Sequence, residues 1–208
     1  MNCTRTRLRR RSLEALAVLA CLLLCGCTSV EEINVKPAPS ATLAVKEPWP
    51  LHVALVLDEG FTNYSYTWSV VGTDVLPLGP SLAQYARQVC EAAFRTVTVV
   101  PNVEAGAGKA DCVLIPRVTG ANLEVPTTAF SKPEMVIMVE WTMKDRGAQK
   151  PLWLTTIEGK TKEAAGNMWT YRKHRRIRNQ KLFDDLARNT AAAFAGSLEI
   201  KRLAEPNR

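Results

Sequence analysis

Histidine is nearly missing from this chain: His52 and His174 are the two present. His52 abuts an apolar run beside Pro50, and His174 stands among arginines with no carboxylate near it in sequence. Neither completes a catalytic triad or a metal-ligand set. Ser65, Ser69, Ser81 and Ser131 lack the glycine-flanked setting of a nucleophile elbow. The Gly-rich segment Glu104-Ala105-Gly106-Ala107-Gly108-Lys109 is too short for a phosphate loop, and no Ser or Thr follows its lysine. It reads as a surface loop. The paired acids Asp58-Glu59 read as a strand end, and Asp184-Asp185 as the favourable acidic first turn of a helix. No catalytic residue, metal or cofactor is assigned on this basis. Internal repeats are absent, and so is a bilayer-length apolar run. Ala15 to Leu24 is unbroken for ten residues, whereas a spanning helix needs about 20.

What is present is unevenly distributed. The formal charge of +7 suggests an acidic partner until it is divided. Residues 1–26 carry Arg5, Arg7, Arg9, Arg10 and Arg11 against Glu14, which is +4. From Cys27 onward 22 Lys and Arg face 19 Asp and Glu, which is +3. A global argument for nucleic acid therefore fails, and no nucleic-acid partner is expected. The cysteines divide the same way. Cys3, Cys21 and Cys25 lie in the leader and Cys27 at its edge, leaving Cys90 and Cys112 for a folded domain. Six cysteines are thus not a disulfide framework.

The arginines and the ten-residue run have the form of a secretory signal, whose apolar region spans roughly 7–15 residues. Cys25-Gly26-Cys27 offers two thiolates with no histidine nearby, short of a four-ligand zinc site. Leu24-Cys25-Gly26-Cys27 resembles the lipobox of bacterial lipoprotein precursors: Leu, a small residue, Gly or Ala, then Cys. The resemblance implies a diacylglycerol on the Cys27 sulfur, cleavage before Cys27 and N-acylation of the new terminus. Val18-Leu19-Ala20-Cys21 is a competing match, but it shortens the apolar region to about six residues and strands Leu22-Leu23-Leu24 outside it. Two or three acyl chains on one residue would hold the protein to a membrane with no spanning helix, since each buried CH₂ contributes about 0.8 kcal/mol. In this class an Asp after the cysteine favours the inner membrane. Thr28 stands there, so the resemblance implies the outer membrane, facing the periplasm.

The expected organisation is a signal at 1–26, a lipidated Pro-rich tether at 27–50, one domain at 51–204 and a tail at 205–208. Pro37, Pro39, Pro48 and Pro50 punctuate the tether, which fully extended reaches about 75 Å. Val53 to Leu57 is a continuous apolar run, as in a central strand buried on both faces. Tyr64 to Ser69 alternates and predicts a strand. Pro77 to Pro80 breaks the chain before a helix over about 80–96, with Pro80 as a first helical residue. Strands follow at Val97–Val100, Cys112–Val118 (continuing toward Val125), Met135–Met143 and Leu152–Thr161, the last two as a hairpin around Asp145-Arg146-Gly147. A second long helix runs from Asn179, as N-cap, to about Leu203, with Phe183, Leu186, Thr190, Phe194 and Leu198 inside. The fold class is α+β, with two helices packed on one face of a mostly antiparallel sheet of about five or six strands. This layout is loosely similar to small α+β lipoproteins of the Gram-negative envelope, a similarity of fold alone.

Three features remain. Arg172, Lys173, Arg175, Arg176, Arg178 and Lys181 concentrate six of the 22 cations after residue 26. They are either an anion-binding patch for lipid headgroups, glycans or an acidic protein, or a solvated lead-in to the last helix. Tyr64, Tyr66 and Trp68 share one strand face, either as an exposed binding platform or as core beneath a helix. Cys90 and Cys112 either pair as a disulfide in an oxidising compartment or remain buried thiols. The functional expectation is a membrane-anchored envelope lipoprotein with a non-enzymatic binding or assembly role toward an envelope protein or glycan. The alternative is a periplasm-facing hydrolase whose site gathers residues distant in sequence.

Overall fold

The computed structural model describes residues 29–30, 47–69, 73–124, 132–146, 150–162 and 171–205, with the side chains of 29–30, 68–69, 73–74 and 171–176 left out of the description. The short β1 (Ser29–Val30) precedes β2 (Trp49–Val56), α1 (Glu59–Thr62), β3 (Ser65–Ser69), β4 (Thr73–Pro77) and α2 (Gly79–Ala93). Then come β5 (Phe94–Val100), α3 (Val103–Gly106), β6 (Cys112–Glu124), β7 (Glu134–Asp145), β8 (Pro151–Lys162), α4 (Tyr171–Gly196) and α5 (Leu198–Ala204). The protein is α+β. Its main sheet has five strands in the order β5-β2-β6-β7-β8, and a smaller sheet has the order β1-β4-β3.

The continuous apolar run of β2 sits where such a run belongs. Leu51, Val53 and Leu55 enter the main core, and Ala54 and Val56 enter a second apolar cluster with Val100, Ala110 and Val113 on the opposite face. Both neighbours of β2 are parallel to it, while β6-β7 and β7-β8 are antiparallel. The sheet is therefore mixed, half parallel where a mostly antiparallel one was expected. Parallel neighbours need a long crossover, and α2 lies in the one between β2 and β5.

The main core lies between one sheet face and helices α2 and α4. From β7 come Met135, Ile137, Val139, Trp141 and Met143, all buried at alternate positions. From α2 come Leu82, Tyr85, Ala86, Val89 and Cys90; from α4, Leu182, Phe183, Leu186 and Phe194. A hydrogen-bonded chain crosses this core. Trp141 Nε1–H donates to Tyr85 Oη (3.3 Å), Tyr85 bonds Thr190 Oγ1 (2.5 Å), and Thr190 donates to Leu186 O (2.8 Å). Every polar group in it is satisfied, which is what makes burying three of them tolerable.

Four boundaries differ from expectation. β4 was not expected, because Pro77 read as a break; it is the last residue of the strand, where a missing N–H costs little. α2 stops at Ala93 because Phe94-Arg95-Thr96-Val97-Thr98-Val99-Val100 is rich in β-branched residues and pairs with β2. α4 begins at Tyr171, so Asn179 is a buried mid-helix residue and not an N-cap; the Arg- and Lys-rich lead-in is good helix former. The last helix breaks at Ser197, whose Oγ accepts from Ile200 N–H to cap α5. Leu198 is consequently 60% exposed instead of inside.

Candidate functional site

The expected functional residues whose side chains the structure describes do not converge. Cys27 and the lipobox lie outside the described residues. Arg172, Lys173, Arg175 and Arg176 fall in the first turns of α4, where side chains are outside the description, as is that of His174. Lys181 is exposed, but Arg178 is only 5% exposed. Arg178 therefore leaves the expected surface patch, because the helix turns that position inward. Tyr64 and Tyr66 are half-buried against the main core, and Tyr66 Oη accepts from Leu123 N–H at 3.2 Å. Those two aromatics are core margin, not a stacking platform; the Trp68 side chain lies outside the description. Cys90 and Cys112 are free thiols buried in one core. Burial pushes the Cys112 thiol up to about 12, with the Asp111 and Asp145 carboxylates adding to it, and raises Cys90 well above its ordinary value.

His52 is the one described histidine side chain. Its Nε2 lies 2.9 Å from Thr98 Oγ1, so an imidazole and a hydroxyl do meet. A hydrolytic triad also needs a carboxylate on the other ring nitrogen. Asp111, the nearby acid, instead accepts from the backbone N–H of His52 (2.8 Å) and faces Arg146 (3.7 Å). The carboxylate therefore fastens β2 to the start of β6 rather than orienting the ring. Among the described residues no group of three His, Cys, Asp or Glu side chains could hold a metal, and no helix is long and apolar enough to cross a membrane.

The feature that stands out is the edge strand β8. Its odd positions Ile157, Gly159 and Thr161 are buried, and its even positions from Leu152 to Lys162 are exposed. Gly159 is where the strand meets α4. A Cβ there would sit 2.6 Å from Leu186 Cβ and 3.1 Å from Leu182 O, so only glycine lets the helix lie this close. The close approach carries two α4 side chains round to the free edge. Lys160 N–H donates to Asp185 Oδ2 (3.0 Å), and Asn189 Nδ2–H donates to Glu158 O (2.8 Å). Arg188 holds Asp185 from the solvent side (3.3 Å). On the outer surface Glu134 bridges Lys160 (2.6 Å) and Lys162 (3.3 Å); those ammonium groups, Lys160 first, hold its carboxyl below the usual range.

Among the described residues, Asp185 and Asn189 cap this end of the edge, and no side chain caps the other. Leu152 is 40% and Leu154 56% exposed, and Thr156 is exposed beside them. Sequence reading placed Asp184-Asp185 in a helix first turn and so missed the edge cap. The usable signal was Gly159, a lone glycine inside a strand pattern, which marks a close backbone approach.

No protein-family model matches the chain, and no curated protein matches it. Solved structures overlap it weakly. A Xanthomonas campestris protein of the DUF330 family model has 9% identity and a TM-score of 0.48, over 80% of this chain and 97% of that one. A minor lipoprotein from Acinetobacter baumannii has 11% identity and a TM-score of 0.37, over 69% and 90%. A lipoprotein from Neisseria meningitidis has 14% identity and a TM-score of 0.34, over 60% and 92%. At these scores the overlaps say nothing of what this chain does.

Proposed function

We propose that this protein is a lipid-anchored component of the Gram-negative envelope, held at the periplasmic face of the outer membrane through Cys27, with a non-enzymatic binding or assembly role. The lipobox Leu24-Cys25-Gly26-Cys27 supports the anchor. The observation that carries the binding role is the β8 edge, closed by Asp185 and Asn189 at one end and open at Leu152, Leu154 and Thr156. An open strand edge offers backbone donors and acceptors to an added strand, and alternate side chains give that addition its specificity. The arrangement of His52, Thr98 and Asp111 argues against a hydrolytic triad at His52, since the acid is committed to backbone and arginine.

The anchor is tested by growing cells on a clickable fatty acid. Wild type should incorporate the label and sediment with membranes, and Cys27→Ser should do neither. Equal labelling of the two would remove the anchor. A photo-reactive residue at position 154 tests the binding role in the same cells. It should form adducts that the same residue at position 91, on the exposed side of α2, does not form.

A further inference from the structure

We infer that the open half of β8 pairs with β8 of a second copy of this chain, antiparallel, about a two-fold axis at Leu154. The inference rests on reading β8 as the binding edge and names its occupant. Backbone groups of an antiparallel edge strand alternate between the neighbouring strand and the free side. Lys160 N–H and Glu158 C=O point to the free side, where Asp185 and Asn189 meet them. The register with β7 is regular from Lys162 to Trp153, so the N–H and C=O groups of Thr156 and Leu154 face the same way. α4 continues alongside, but its next positions on that side are Ala192, Ala193 and Gly196, none with a side chain that can hydrogen-bond. A Cβ built on Gly196 meets nothing within 4 Å, so space is open there.

Two properties select a second copy as the occupant. Pairing about Leu154 sets Leu154 against its own symmetry mate and Leu152 against Thr156 of the other copy. The two exposed leucines are then covered by the same surface that exposes them, the self-complementarity that a two-fold interface requires. Residues 151–157 carry no charge, so no like charges oppose each other across the pairing. Anchoring of both copies to one membrane through Cys27 would raise their effective concentration further.

The test uses the full-length lipidated protein in its membrane, carrying Leu154→Cys. Cys90 and Cys112 are buried and do not compete. Mild oxidation should yield a covalent dimer, reversed by reductant, because opposed strand residues lie within disulfide reach. Val99→Cys, on the exposed edge strand β5, and Glu91→Cys on α2 should yield none. Adding Thr156→Pro to Leu154→Cys replaces an N–H that faces the free side and leaves the β7 ladder intact. It removes two symmetry-related bonds, weakening association by roughly 30-fold with an unchanged circular dichroism spectrum. A cross-link formed only between Leu154→Cys and Val99→Cys chains would overturn the two-fold pairing in favour of a head-to-tail contact. Adducts of the photo-reactive residue at 154 with a different protein, with no self-dimer, would overturn the second-copy inference and leave β8 as a binding edge. Neither adduct nor dimer would remove both readings.

Discussion

Replacing Gly159 with alanine puts a methyl group where α4 already lies. The new Cβ would stand 2.6 Å from Leu186 Cβ, 3.1 Å from Leu186 Cα and 3.1 Å from Leu182 O. Carbon atoms in contact prefer about 3.5–4.0 Å, so roughly 1 Å must open at the tightest point. None of the three atoms can rotate away, because each is helix backbone or fixed to it. α4 must move as a body. A shift of that size takes the Asp185–Lys160 and Asn189–Glu158 bonds from 3.0 and 2.8 Å to beyond hydrogen-bond range. Two lost bonds cost about 1 kcal/mol each, and overpacking adds about 1–3 kcal/mol. Against this, alanine restricts the unfolded chain and returns about 0.4–1 kcal/mol. Position 159 does not have positive φ, so its backbone accepts the side chain. The clash dominates, and a net loss of about 2–4 kcal/mol is expected, a large share of the roughly 5–15 kcal/mol of an ordinary domain.

Urea unfolding followed by tryptophan fluorescence measures this directly. The midpoint of Gly159→Ala should fall with an unchanged slope, because the surface exposed on unfolding stays the same. Gly196→Ala is the matched control. It lies in α4 with nothing within 4 Å of its Cβ, so helix propensity should make it neutral or stabilising by up to about 1 kcal/mol. A Gly159→Ala protein within 0.5 kcal/mol of wild type would refute the close-approach argument, as would equal losses at the two glycines.

Tyr85→Phe removes the centre of the buried chain, leaving Trp141 Nε1–H without its acceptor; a loss of about 1–3 kcal/mol is expected by the same urea assay. The buried thiols give a pH dependence. Cys112 stays protonated in the fold up to about 12, whereas the unfolded chain releases that proton near 9.0. Its contribution is therefore complete below pH 9 and declines between 9 and 12, by about 1.4 kcal/mol per pH unit. Relative to wild type, Cys112→Ala should lose stability less steeply across that window, and parallel slopes would contradict the assignment. For the basic run, Arg172→Gln, Arg175→Gln, Arg176→Gln and Lys181→Gln together should weaken retention of the Cys27→Ser protein on anionic vesicles, where each cation near the surface contributes about 1 kcal/mol. Unchanged co-sedimentation would return those residues to a solvated helix face.

Where the sequence pattern was decisive, local chemistry and tertiary packing agree. The apolar run Val53-Ala54-Leu55-Val56 has no polar face, and its strand is covered on both sides. From Met135 to Met143 apolar residues alternate along the predicted strand, and those at the odd positions are all buried. Misreadings occurred where one residue serves either of two roles. Asn179 is a strong N-cap type, yet the helix continues through it because arginine and lysine propagate helices well. Pro77 ends a strand as readily as it breaks a helix. The candidate site was the least legible part. An edge exists only once strand order is known, and the order β5-β2-β6-β7-β8 depends on crossovers that no local pattern encodes. Leu152-Trp153-Leu154 shows no alternation, so nothing in it separates an exposed leucine from a buried one.

An open edge could be a tolerated leftover instead of a site, and the placement of protective features distinguishes the two. Proteins blunt free edges with lysines, prolines, bulges or a covering element. β8 has all four, but only at its ends. Lys160, Lys162 and the α4 cap stand at one end; Pro151 and the register shift opposite Met143 and Lys144 stand at the other. The window between them is Leu152 to Ile157, about the length of an average strand. Leu154→Lys moves a protective charge into the middle of that window. Position 154 is 56% exposed and its side chain is outside both apolar cores, so folding stability should change by no more than about 0.5 kcal/mol. On the inferred pairing the new ammonium faces its own symmetry mate, and like charges directly opposite each other disfavour the ladder. Sedimentation of the full-length protein in detergent should then show wild type as a dimer and Leu154→Lys as a monomer. A monomeric wild type, or a variant that still dimerises, would mean that the window is merely unguarded.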